Sequence, residues 1–133
     1  MKSIYFIMFL IIIGFFVFLS IGSAWRESLT YDEIVYVEEG LNAWRAQTFS
    51  LDPHNPPLIR ELAVLPLILT SYVSIHQGSP NIVLFPARAV IIVFSVMLLV
   101  LVYFWTRRYF DETIALVATF FLAFEPHFFA HSH

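Results

Sequence analysis

The residues able to move a proton or hold an anion are gathered between Asp32 and Arg88: Asp32-Glu33, Glu38-Glu39, the run Asp52-Pro53-His54-Asn55-Pro56-Pro57-Leu58-Ile59-Arg60-Glu61, and Arg88. A carboxylate held where water is scarce becomes a stronger base, which is what deprotonation of a hydroxyl requires. Asp32 is the better candidate of the first pair. Thr30-Tyr31-Asp32-Glu33 has the Thr-x-x-Glu pattern of a capping box, which gives Glu33 a structural task and leaves Asp32 outside it. The plainer reading is that Asp32 complements a helix dipole and that Glu38 and Glu39 form a solvated face. Arg60 and Arg88 carry the charge and fork geometry to bind a phosphate, or else serve as ordinary ion-pair partners, Arg60 with an acid such as Glu61 or Asp32. His127 and His131, spaced i, i+4 ahead of His133, pose a metal-site reading against an exposed, interfacial one. With no cysteine in the chain, thiolate metal sites and cysteine nucleophiles are excluded.

The elements that must position these residues follow from the composition. Of 133 residues, 59% are hydrophobic and 13% charged, and the mean hydropathy is +0.79. A soluble globular domain carries about twice that share of charge. Ser3 to Ala24 and Ala89 to Thr106 contain no charged residue. At 1.5 Å per residue, runs of roughly 20 apolar residues match a ~30 Å hydrocarbon core. The fold class expected is therefore all-α and integral to a membrane. Three spans are expected, about 4–22, 89–106 and 113–130, the last bent at Pro126. Lys2 and the small residues Gly22 and Ala24 also allow a cleavable signal peptide, but the apolar stretch exceeds a normal h-region.

Arg107 and Arg108 lie in the short connection after the second span, which the positive-inside rule keeps on the cytoplasmic side. The N-terminus is then inside and the segment 25–86 outside. Within that outer loop, Ile34, Val37, Leu41 and Trp44 follow helical spacing, so an amphipathic helix is expected to start near Thr30. Leu62 to Ile75 is apolar but short and holds Pro66, which predicts a juxtamembrane helix on the outer leaflet rather than a fourth crossing. A net charge of −3 offers no footprint for nucleic acid.

The order of these features is specific. A first span is followed by Asp32-Glu33, Gly40, Pro56-Pro57-Leu58-x-Arg60, Pro66-Leu67, Ala87-Arg88, a second span, and Phe124-Glu125-Pro126-x-x-x-Ala130-His131-Ser132. This resembles the N-terminal part of the GT-C membrane glycosyltransferases, in particular the dolichyl-phosphate-mannose protein mannosyltransferase and aminoarabinose transferase group. The likeness covers essentially the whole chain. It implies an N-terminal piece of one longer GT-C transmembrane domain, inactive alone, with its site on the extracytoplasmic face of a prokaryotic cytoplasmic membrane or an equivalent.

Residue by residue, the resemblance implies that Asp32 is the catalytic base with Glu33 as its companion, and that Arg60 and Arg88 bind the donor phosphate. His54 and His131 are accessory candidates. The family's histidine usually touches the first proline of the Pro-Pro turn, whereas here Asn55 stands there and His54 lies one residue earlier. The implied donor is a sugar on a polyprenyl phosphate, and the implied acceptor is a hydroxyl of a protein, lipid or glycan. Some relatives use a divalent metal, so the resemblance leaves metal dependence open. The reading from another class is a small non-catalytic membrane protein whose outer helices bind lipid headgroups or a partner subunit.

Overall fold

The computed structural model describes residues 2–27, 31–46, 57–69 and 80–132. Among them every regular element is a helix: α1 (Lys2–Arg26), α2 (Tyr31–Ala46), α3 (Pro57–Leu69), α4 (Pro80–Tyr109), α5 (Glu112–Ala123) and α6 (Pro126–Ala130). Two stretches are long and apolar enough to cross a membrane, Ile4–Arg26 and Leu84–Tyr109. Their most apolar windows are only 17% and 22% buried, so neither is a core helix wrapped by the described residues.

Two boundaries differ from those read from the sequence, those of α4 and of the third span. Helix α4 starts at Pro80, well before the expected position 89, and carries Pro86 and Arg88 inside it. Helix α3 starts at Pro57, with proline in its first turn, where the missing N–H costs no intrahelical bond. The expected third span is not one continuous helix. Helix α5 stops at Ala123, and its twelve residues reach about 18 Å. Glu125 then takes an extended conformation and caps α6, its Oε2 accepting from the Phe128 N–H at 2.6 Å with Pro126 following at the first helical position. A carboxylate cap followed by proline is a helix start, which is why the chain breaks here instead of bending.

The chain forms two compact units, Met1–Ser23 with Ile92–His133, and Ala24–Ile91. In the first, Phe9 stacks on Tyr103 with ring centroids 4.1 Å apart, beside Ala115 and Leu116. Phe16, Leu99 and Ala123 form a second cluster, with Phe128 and Phe129 packed against Phe16. The α4–α5 turn is closed by Asp111, which accepts from the Ile114 N–H, and by the Arg107–Glu112 ion pair at 2.7 Å. The hydroxyls of Ser20 and Ser132 lie 3.5 Å apart.

In the second unit α2 packs on α3. Val37, Leu41, Val64, Leu67, Leu84 and Ala87 form its core. Gly40 sits at the closest approach: a Cβ there would stand 2.9 Å from Val64 Cγ1 and 3.2 Å from the Arg60 carbonyl oxygen. The Trp44 indole N–H donates to the Glu61 carbonyl at 3.2 Å, which fixes the far end of the same helix pair.

Candidate functional site

The acidic pair stands at the start of α2, because the apolar period that builds this helix begins at Ile34 and places positions 32 and 33 in its first turn. Glu33 is held by Arg88 of α4. The Arg88 Nε donates to Glu33 Oε1 and its Nη2 to Glu33 Oε2, both at 2.7 Å, a parallel two-bond grip. Arg88 Nη1 donates to the carbonyl oxygens of Ala24 and Glu27 at the end of α1. Those bonds engage four of the five guanidinium N–H groups. Arg88 is 4% exposed, and a cation so buried needs this pairing to offset its desolvation.

Arg60 of α3 is nearly as buried, at 6%. Its Nη1 donates to Glu39 Oε2 at 3.2 Å. Glu39 lies six residues beyond Glu33, so the two arginines hold α2 at points about 9 Å apart along its axis. Asp32 and Glu39 are seven residues apart, nearly two full turns, and their Cα positions fall on one stripe of α2. An open hollow beside the end of α2 is lined by Glu39, Asn42, Arg45 and Ala46.

The backbone thus places Asp32 next to the residue that Arg88 holds, while its side chain lies outside the described set. Thr30 and His54 also lie outside the described residues. His131 is exposed at the C-terminal cap of α6 and belongs to the first unit, not to the unit of Glu33, Arg60 and Arg88. No group of three or more His, Cys, Asp or Glu suited to a metal ion occurs among the described residues.

Two partners escaped the sequence reading. Glu39 was read as part of a solvated face, and it is an acid bonded to Arg60. Glu33 was expected in a capping box, and both its oxygens take bonds from Arg88, 55 residues along the chain. A helical-wheel reading does show Glu39 one position from Gly40, the residue at the α2–α3 contact, and that was the available signal. Nothing local in the sequence points from Glu33 to Arg88.

No match was found. The chain matches no family model, no curated protein and no solved structure.

Proposed function

We propose that the chain is part of an integral membrane glycosyltransferase that uses a polyprenyl-phosphate sugar and acts on an extracytoplasmic hydroxyl. The observation that carries this reading is the Arg88–Glu33 pair, which joins an arginine to the chain neighbour of Asp32 through two 2.7 Å bonds. In this reading α1 and α4 cross the bilayer and α5 with α6 forms a third, broken crossing; non-helical backbone within a membrane is tolerated where protein covers it. The N-terminus lies in the cytoplasm and the Ala24–Ile91 unit outside. Helix α3, with Leu58, Ile59 and Leu69 exposed, lies along the outer leaflet.

The chemistry is a single displacement. Asp32 takes the proton of the acceptor hydroxyl, the oxygen forms a bond to the anomeric carbon, and the bond from that carbon to the phosphate oxygen breaks. The electron pair leaves with polyprenyl phosphate, and the sugar inverts. Arg60 and Arg88 supply the positive charge that favours this leaving group. Their contributions differ in kind. The Arg60–Glu39 bond, at 3.2 Å, is the longer contact and the one a phosphate displaces. Arg88 keeps its grip on Glu33 and acts through its charge.

The test is consumption of a polyprenyl-phosphate sugar by the protein as expressed from its gene, in nanodiscs with hydroxyl acceptors. Release of polyprenyl phosphate is expected. Binding of anionic lipid vesicles with no turnover of any lipid-linked sugar would instead favour the headgroup-binding alternative.

A further inference from the structure

We propose that Arg88 is a positioning residue, a three-way tie that sets the first turn of α2 and with it the station of Asp32. The inference rests on the transferase reading for its catalytic consequence, but the tie itself stands on geometry.

Arg88 reaches three segments from one guanidinium. It donates twice to Glu33 at the start of α2, once to the Ala24 carbonyl in the last turn of α1, and once to the Glu27 carbonyl just beyond that helix. The last carbonyls of a helix have no partner within it, so a donor from elsewhere both satisfies them and fixes where the chain leaves. Between Glu27 and Tyr31 the chain is too short to let the start of α2 move far while both ends are held, since each residue spans at most about 3.6 Å. The planar fork sets direction as well as distance, because two parallel bonds to one carboxylate leave little rotation. Next to this grip stands Asp32, whose Cα is about 3.8 Å from that of Glu33. A base must meet the acceptor proton within a few tenths of an ångström to be effective, and a first turn locked from outside the helix supplies that constancy. The guanidinium side of the tie is buried, Arg88 being 4% exposed, while the Glu33 side chain keeps 27% of its surface.

A positioning role and a phosphate-binding role for Arg88 separate in kinetics. Lysine preserves the charge but cannot make the two-bond fork. In the protein as expressed from its gene, Arg88→Lys is expected to lower kcat at least tenfold and to leave the KM for the polyprenyl-linked donor within twofold. Hydrogen exchange at the amides of residues 31–36, followed in nanodiscs, is expected to quicken at least tenfold. Glu33→Gln, which keeps the shape and removes the charge, should quicken the same amides and serves if Arg88→Lys fails to fold. A tenfold rise in donor KM with kcat retained would overturn the proposal and make Arg88 a phosphate ligand. Unchanged exchange at 31–36 in both variants would also overturn it, as would faster exchange with an unaltered kcat. If the wild-type protein transfers no sugar, the transferase reading fails, and the exchange measurement alone decides whether the tie holds the start of α2.

Discussion

The two buried arginines of the second unit have similar burial, and their carboxylate contacts differ in length, on which their proposed roles are based. Arg88 faces both oxygens of Glu33 at 2.7 Å, whereas the bond from Arg60 to Glu39 is 3.2 Å long. Charge-assisted bonds shorten as they strengthen, so under the proposed function an incoming phosphate would exchange with Glu39 more readily than with Glu33. Arg60→Ala is therefore expected to raise the KM for a polyprenyl-phosphate donor at least tenfold with kcat reduced less, measured in the whole protein. An unchanged donor KM would remove Arg60 from the phosphate site. The residue types of this site were legible in the sequence, but their pairing was not. Asp32, Glu33, Arg60 and Arg88 are among the few charges of an apolar chain, yet Arg88 meets its carboxylate across 55 residues and Arg60 meets Glu39 across 21. Such contacts are set by how α2, α3 and α4 pack, and no local spacing encodes them.

The helices show the same division between local and distant causes. Helix α1 was readable because its apolar run is unbroken, and α2 because Val37 and Leu41 recur at helical spacing and are both buried. The early start of α4 was not readable. Pro86 and Arg88 look like stop signals, but Arg88 is held by a distant carboxylate, and a proline near a helix start forgoes a single backbone bond. The break after Ala123 was partly readable, since Glu125-Pro126 can bend a helix or start one. The local cap at Glu125 decides for a start. The α2–α3 contact yields a test at this scale. Gly40→Ala puts a methyl group 2.9 Å from Val64 Cγ1 and 3.2 Å from the Arg60 carbonyl, and overpacking of this kind costs about 1–3 kcal/mol. Thermal unfolding in detergent should show that loss. In Gly40→Ala with Val64→Ala the summed loss should be smaller than the two single losses together, because the second change opens the space the first one fills. Strict additivity would contradict the close approach at Gly40.

At the scale of the whole molecule, the composition points to membrane-spanning helices, and the proposed orientation rests on the charge pattern. The apolar stretches Ile4–Arg26 and Leu84–Tyr109 have the length to cross a bilayer, and Arg107 and Arg108 stand at the end of the second. Dense basic residues beside a span tend to stay cytoplasmic, so the proposed topology has Phe110 inside and Glu27 outside. Single cysteines at these positions, in a chain that has none of its own, should be labelled by a membrane-impermeant maleimide from the cytoplasmic side at 110 and from the outer side at 27. The reverse pattern would invert the topology and move the Asp32 site to the cytoplasm. The most direct measurement of the central claim is single-turnover transfer from a labelled polyprenyl-phosphate sugar by the wild-type protein and by Asp32→Asn, with donor binding followed in parallel. The account expects the variant to bind the donor with wild-type affinity and to release polyprenyl phosphate at least a hundredfold more slowly. Release at the wild-type rate by Asp32→Asn would contradict it.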